Sequence, residues 1–196
     1  MTNFAALYDA CVLYPAPLRD LLMHLALTDL YRAKWTNEIH EEWISNVLSN
    51  RKDLKRDFLE RTRDKMNSSV RDCLVQNYQY LIPTLSLPDE NDRHILASAI
   101  HSNSSVIVTY NLKDFPKKIV SKYGVEAQHP DEFIMNLFDL SSDLVCLAVK
   151  RHRATLKNPP KSVDEYLATL EKQSLKNTVQ KLQEFRSYVS TKKYTE

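Results

Sequence analysis

Short apolar runs that predict buried β-strands alternate with helical segments along the first two thirds of this chain. That alternation limits the possible folds more than any other feature. Residues 4–8 form one apolar run, the β-branched stretch 106–109 forms the clearest one, and 80–82 and 125–127 are weaker candidates. Strands that alternate with helices favour a parallel sheet flanked by helices. The sequence therefore predicts an α/β domain.

The segments between these runs carry helical signals. Leucines recur at three- and four-residue spacing and predict a helix over about 17–33, and Thr36 or Asn37 is placed to cap the next helix. Residues 52–75 are charged and predict a pair of surface helices. A further helix is predicted over 88–103.

The strand signal stops before residue 130. Pro130 suits the first turn of a helix. The sequence therefore predicts a domain of residues 1–140 that holds the strands, followed by an all-helical extension of residues 141–196. Within the later part of the chain, helices are expected over roughly 140–156, 162–172 and 174–189.

The amino-acid composition excludes several classes of function. The single glycine, Gly124, excludes glycine-rich phosphate-binding loops. No stretch approaches 18 apolar residues, and the N-terminal segment lacks the basic start of a signal peptide, so we expect a cytoplasmic protein without a membrane span. Three widely spaced cysteines are expected to be reduced thiols. They are Cys11, Cys73 and Cys146.

Acidic or amide side chains recur where predicted strands end and where helices begin. Ligands of open parallel sheets bind outside the carboxyl ends of the strands, so side chains from these places can share one crevice. Each acid also has a simpler explanation, because acids in the first turn of a helix stabilise it by roughly 0.3–1 kcal/mol. The set consists of Asp9, Glu38, Glu42, Asp92, Asn111 and Asp114.

Crowded carboxylates repel one another unless a positive charge lies between them. Hard divalent cations prefer oxygen ligands, so Mg²⁺ or Mn²⁺ would offset that repulsion. Such ions also activate water and stabilise the transition state of phosphodiester hydrolysis. The acid set therefore predicts a metal-dependent hydrolase.

Four stretches of this chain together resemble the PIN-domain nucleases, and more narrowly the VapC-type toxins of bacterial toxin–antitoxin pairs. They are LYDACVLYP at 7–15, NEIHEEW at 37–43, DENDRHILASA at 89–99 and VTYNLKDFP at 108–116. The resemblance covers about residues 4–140, and the helical C-terminus resembles that of the longer VapC-like members. It implies a PIN-like three-layer fold with a central parallel sheet.

The resemblance also implies a catalytic set of Asp9, Glu42, Asp92 and Asp114. Metal would be held by Asp9, Asp92 and Asp114, as Mg²⁺ or Mn²⁺. Many relatives carry Asp where this chain has Asn111, which lowers the local negative charge by one. Asn111, Thr109 and Glu38 are expected in supporting roles, and Thr109 could donate a hydrogen bond to an acid.

The activity implied by the resemblance is that of an endoribonuclease toxin. Its substrate would be RNA, with transfer RNA the usual type in the family, and its partner a cognate antitoxin; a homodimer is also allowed. Residues 150–196 hold 11 Lys and Arg against 5 Asp and Glu. Lys150, Arg151 and Arg153 are therefore candidates for contacting RNA phosphates, although a solvated helix face explains each one more simply.

Two other functions fit part of the sequence. Phosphatases of the haloacid-dehalogenase type also place an Asp after the first strand, but they need a second Asp two residues later, where this chain has Cys11. A PIN-like scaffold that binds protein or RNA without cutting it is the non-enzymatic alternative. Asn111, an amide in place of an acid, is the feature that favours it.

Overall fold

The computed structural model describes residues 4–190, and within them four parallel strands form one sheet. The strand order is β2-β1-β3-β4, which confirms the predicted α/β fold with a central parallel sheet flanked by helices. The strands are β1 (Ala5–Tyr8), β2 (Arg32–Lys34), β3 (Ser104–Val108) and β4 (Glu126–Gln128).

The helices of the described chain include a long one that is interrupted at Ser141, where the backbone leaves helical geometry. The helices expected in the later part of the chain are confirmed as far as residue 190. The helices are α1 (Ala10–Leu13), α2 (Ala16–Ala26), α3 (Asn37–Asn50), α4 (Arg56–Ser69), α5 (Arg93–His101), α6 (Lys117–Val120), α7 (Pro130–Thr155), α8 (Val163–Glu171), α9 (Lys176–Glu184) and α10 (Arg186–Ser190).

The described residues form two compact units. The first contains residues 4–15 and 31–130, and the second contains residues 16–30 and 131–190. All four strands belong to the first unit, while the second is built from α2 and α7 to α10. The division of the chain at residue 140 stays a prediction.

The first unit is organised around the two central strands. β1 is buried along its whole length, as expected of a strand with neighbours on both sides and helices on its faces. Leu7 pairs with Ile107 and Tyr8 with Val108, so β1 and β3 end side by side. In the sheet, β2 lies on one side of β1 and β3 lies on the other, so the order of the strands reverses at β1. This reversal of strand order is where open parallel sheets bind ligands.

Three local predictions were wrong. The helix predicted over 17–33 ends at Ala26, because Asp29 takes a left-handed conformation (φ 58°) and the chain then enters the short polar strand β2. The strand predicted at 80–82 is a 3₁₀ helix, Gln79–Thr84; Pro83 lacks an N–H to donate to a sheet. Residues 52–75 hold one helix, α4, instead of two.

In the second unit, Asp131 supplies a helix cap from a distant part of the chain. The N-cap residue of α9, Leu175, has no side chain that can cap. The buried Asp131 carboxylate instead accepts hydrogen bonds from the backbone N–H groups of Asn177 (2.9 Å) and Thr178 (2.8 Å) and from the Thr178 hydroxyl (2.7 Å). A carboxylate at a helix N-terminus also complements the helix dipole. Asp131 thereby joins the start of α7 to the start of α9.

We expect Asp131→Ala to lower the free energy of unfolding by about 2 kcal/mol, since it leaves buried N–H donors without a partner. Urea unfolding followed by circular dichroism measures the change. Asp139→Ala, an exposed acid on the same helix, is the matched control and should leave the midpoint nearly unchanged. Equal midpoints for the two variants would contradict the capping role.

No helix within residues 4–190 combines the length and apolarity needed to cross a membrane.

Candidate active site

Asp9 lies at the carboxyl end of β1, and its carboxylate is fixed by the end of β3. Its backbone N–H donates to the Val108 carbonyl (3.1 Å), which continues the pairing of the two strands. The Thr109 hydroxyl donates to Asp9 Oδ2 at 2.6 Å, so the hydrogen bond expected of Thr109 is present. Asp9 is only 5% exposed and Thr109 is fully buried. The two strand ends therefore hold one carboxylate in a fixed orientation.

Cys11 completes the surroundings of Asp9. Its thiol donates to Asp9 Oδ2 (3.1 Å), and its backbone N–H reaches Oδ1 (3.4 Å) as Asp9 caps α1. Burial, followed by the charge of Asp9, raises the pKa of the Cys11 thiol to about 12. Cys11 is therefore a protonated hydrogen-bond donor at neutral pH, not a nucleophile.

We expect Thr109→Val to destabilise the protein by about 1.5–3 kcal/mol, because the buried Asp9 carboxylate loses a close hydrogen bond while the side-chain volume is kept. Thr109→Ser retains the hydroxyl and serves as the control. Urea unfolding of both variants in metal-free buffer gives the measurement. A Val variant as stable as the Ser variant would show that this hydrogen bond does not hold Asp9.

Helix α3 presents Glu38 and Glu42 on one face, since they are four residues apart. Thr36 caps the helix by accepting from the Ile39 N–H (3.0 Å). The opposite side is anchored by His40, which accepts from Trp43 Nε1 (2.9 Å) and contacts Asn67 Oδ1 (3.0 Å). The two glutamates are thereby held on the side of α3 that faces His94.

His94 joins α5 to these glutamates. The side chain is 6% exposed, and Nε2 donates to Glu42 Oε1 at 2.8 Å. Its Nδ1 lies 3.6 Å from Glu38 Oε2, which also accepts from the Tyr78 hydroxyl (2.9 Å). Burial lowers the pKa of His94, but the hydrogen bond to Glu42 and the charges of Glu42, Glu38 and Asp9 raise it above its ordinary value overall.

Asp92 lies at the start of α5, and its carboxylate makes no capping hydrogen bond to that helix. Asp89 caps the preceding turn instead, by accepting from the Asn91 N–H (2.9 Å). Burial, followed by repulsion from Asp9, Asp89 and Asp114, raises the pKa of Asp92 to about 6. The negative charges of Asp9, Asp89 and Asp114 therefore act together on the Asp92 carboxyl.

The fourth acid comes from the turn after β3. Asp114 ends a 3₁₀ turn, Leu112–Asp114, and is partly buried. Asn111 is exposed, and its backbone N–H donates to the Thr109 hydroxyl at 2.9 Å, so this turn is tied to the group that holds Asp9. The carboxylates of Asp9 and Asp114 are near enough to Asp92 to raise its pKa, so these three acids lie in one neighbourhood. Glu38 and Glu42 adjoin it, since they act with Asp9 on the pKa of His94.

A model of the PIN domain matches residues 5–113, more than half of the chain. This chain belongs to the PIN-domain family. A second model, the VapC50 C-terminal domain, matches residues 130–184 and confirms the expected likeness to longer VapC-type proteins.

One curated relative is "Putative ribonuclease VapC50" of Mycobacterium tuberculosis (strain ATCC 25618 / H37Rv), 47% identical over 49 residues. That stretch is 25% of this chain and 29% of the relative, so the alignment spans less than a third of either protein. No solved structure matches this chain.

The candidate residues divide between the two units. The acids of the PIN domain, with Asn111 and Thr109, all lie in the first unit. The basic candidates Lys150, Arg151 and Arg153 lie in the second. Arg153 donates to the carbonyls of Val189 (3.2 Å) and Lys161 (3.0 Å), so part of its guanidinium connects segments of that unit.

Neither Cys11 nor His94 is among the site residues predicted from the sequence. Both touch the acids of the PIN domain directly. One signal for Cys11 was available, since it stands two residues after Asp9 at a helix start, where an Asp side chain receives backbone N–H groups. His94 gave a weaker signal. His94 lies two residues after Asp92, but this spacing alone does not fix the direction of the imidazole ring.

Proposed function

We propose that this protein is a divalent-metal-dependent endoribonuclease that acts as the toxin of a toxin–antitoxin pair. The observation that carries the proposal is the crowding of Asp9, Asp89 and Asp114 around the carboxyl of Asp92 at the carboxyl edge of the sheet. Membership of the PIN-domain family and similarity to a relative named as a ribonuclease support it. The assigned catalytic set is Asp9, Glu42, Asp92 and Asp114.

The donor chemistry of this set fits a hard divalent cation. Asp9, Asp92 and Asp114 offer only carboxylate oxygens, the ligands that Mg²⁺ and Mn²⁺ take. Burial raises the pKa of Asp92, and the charges of Asp9, Asp89 and Asp114 raise it further; a cation among these acids would offset that repulsion. These three acids would hold the ion.

A bound cation supplies a Lewis acid that activates water and stabilises charge at the phosphorus. The residues of this chain supply orientation. Thr109 and Cys11 hold the Asp9 carboxylate, and the His94 N–H holds Glu42. Glu42 is 39% exposed, so a solvent molecule can reach it and give up a proton to its carboxylate. Such preorganisation lets the carboxylates act without rearranging when the substrate arrives.

The substrate and partners follow from the family resemblance. We assign transfer RNA as the substrate class, with Lys150, Arg151 and Arg153 as candidate phosphate contacts. A cognate antitoxin would neutralise the acidic crevice, and an inserted arginine suits crowded carboxylates because its planar fork pairs with two oxygens. A homodimer is compatible with this assignment.

The direct experiment incubates purified protein with a total transfer-RNA pool and a single-stranded RNA of similar length, with Mg²⁺, with Mn²⁺, or with EDTA. Discrete products from transfer RNA in either metal, absent with EDTA, are expected. Sequencing the product ends then locates the cut. Cleavage that persists in EDTA would contradict metal dependence.

The non-enzymatic scaffold is favoured by one observation, the exposed amide of Asn111 in place of an acid. Binding of RNA without cleavage in either metal would support it. Asn111→Asp then separates the two readings, since a carboxylate near Asp114 should create metal-dependent cleavage if only that negative charge is lacking.

A further inference from the structure

His94 carries a buried polar atom that no residue of the described chain satisfies. Its side chain is 6% exposed, and Nδ1 has no hydrogen-bond partner among residues 4–190. Buried polar atoms are almost always paired, and each exception calls for an explanation. Nδ1 points toward Glu38, whose Oε2 lies 3.6 Å away, too far for a hydrogen bond.

The surroundings of that atom match a transition-metal site. One ligand atom from each of Glu38, Glu42 and His94 can be chosen so that all three lie within 4.8 Å of one another. Two ligand atoms each about 2.1 Å from one ion can lie up to roughly 4 Å apart, so the 3.6 Å between Nδ1 and Glu38 Oε2 is compatible with a shared ion. Glu38 and Glu42 also place two like charges together, which a cation would relieve.

The hydrogen bonds around these groups are those that support a metal-ligating histidine. Such a histidine donates its other ring N–H to a carboxylate, which fixes its tautomer and ring orientation. Here Nε2 donates to Glu42 Oε1, so the neutral imidazole carries its lone pair on Nδ1. The Tyr78 hydroxyl orients Glu38, and a carboxylate that accepts one hydrogen bond keeps further lone pairs for a metal.

We propose that Nδ1 of His94 and the carboxylate of Glu38 form a second cation site that takes a first-row transition-metal ion such as Mn²⁺ or Zn²⁺, while Glu42 holds the imidazole ring through Nε2. An imidazole ligand selects these ions over Mg²⁺, which prefers oxygen and water. The site adjoins the proposed catalytic set, because Glu42 belongs to that set and accepts the hydrogen bond from Nε2 of His94. It therefore gives this protein a response to transition metals beyond the Mg²⁺-type chemistry of Asp9, Asp92 and Asp114.

Electron spin-echo spectroscopy of the Mn²⁺-loaded protein tests the nitrogen ligand directly. We expect ¹⁴N modulation from one imidazole in the unaltered protein and its loss in His94→Gln. His101→Gln, which removes an exposed histidine from the same helix, is the matched control and should keep the modulation. Absence of modulation in the unaltered protein, or its persistence in His94→Gln, overturns the proposal.

Calorimetric titration with Zn²⁺ tests the site through a residue whose replacement does not threaten folding. Glu38 is half exposed, and we expect Glu38→Gln to weaken Zn²⁺ binding by about tenfold or more. Glu41→Gln, on the same helix but bonded to Arg56, should bind Zn²⁺ as the unaltered protein does. Equal affinities for the two variants would overturn the assignment of Glu38.

The outcome is separable from that of the nuclease proposal. RNA cleavage with Mg²⁺ but no ¹⁴N modulation would leave the nuclease in place and remove the second site. Modulation that depends on His94 in a protein that cuts no RNA would establish the second site and remove the nuclease.

Discussion

Asp9→Asn should abolish detectable cleavage of transfer RNA while leaving the protein folded. The change removes one negative charge from a side chain that is 5% exposed and lies among the other acids. A cation held by carboxylates loses a charged ligand, and loss of one preorganised electrostatic contact costs about 10²–10³-fold in rate. Growth arrest caused by expression of the protein should disappear with the cleavage.

The fold should tolerate this change because Asn keeps the shape of Asp and one acceptor oxygen. With its oxygen in the place of Oδ1, the Asn side chain keeps the hydrogen bond from the Cys11 backbone N–H. Its amide nitrogen, in the place of Oδ2, can donate to the Thr109 hydroxyl oxygen and the Cys11 sulfur. The measurement is the cleavage rate in Mg²⁺ and in Mn²⁺, beside a thermal melt of each protein.

Asp89→Asn is the matched control for Asp9→Asn, since Asp89 is another acid that repels Asp92 but serves as the cap of a turn. It should cleave RNA at a rate close to that of the unaltered protein. Full activity of Asp9→Asn, with the metal requirement unchanged, would remove Asp9 from the mechanism. Equal losses in both variants would show that total charge matters more than any one ligand.

The sequence predicted those parts of the structure that depend on local patterns. Four apolar residues followed by Asp9 placed β1 and its terminal acid, because a buried central strand must be apolar along its length. The β-branched run before Thr109 likewise predicted the position of β3 and the residue that follows it. Since both strands are parallel and adjacent, their ends had to meet, and the hydrogen bond between Thr109 and Asp9 follows from that topology.

What the sequence could not predict depends on distant contacts. β2 is three residues long and polar at both ends, so it has no strand pattern of its own and forms only by pairing with β1. The direction of the His94 ring depends on how α5 packs beside α3, which no spacing along the chain encodes. Asp131 likewise looked like an ordinary first-turn acid of α7, yet its partners lie more than forty residues later in α9.

Asp92→Asn should make the protein more stable at neutral pH and inactive at the same time. Burial and three neighbouring acids raise the pKa of Asp92 from 3.8 to about 6, so the folded protein disfavours the ionised carboxyl. Because the carboxyl is partly exposed and solvent screens the repulsion, we expect a gain of several tenths to about 1 kcal/mol in unfolding free energy at pH 7.5.

The pH dependence of this gain has a definite sign. Between about pH 4 and pH 6 the folded state keeps the Asp92 proton that the unfolded state has already released, so the unaltered protein loses stability as the pH rises through that window. The stability difference between Asp92→Asn and the unaltered protein should therefore be small at pH 4, grow up to about pH 6 and stay constant above it. Urea unfolding in metal-free buffer at pH 4, 5, 6 and 7.5 measures it.

Adding Mg²⁺ or Mn²⁺ should reverse the order of stability at neutral pH. An ion that binds only the folded state stabilises it, and the unaltered protein, with its Asp92 carboxylate, should gain more than Asp92→Asn. Asp57→Asn, an exposed first-turn acid of α4, is the control and should show neither the pH-dependent gain nor the metal effect. An Asp92→Asn protein that is less stable than the unaltered one at pH 7.5 without metal would show that the acids do not repel Asp92. The structural case for a cation site at this edge of the sheet would then fail.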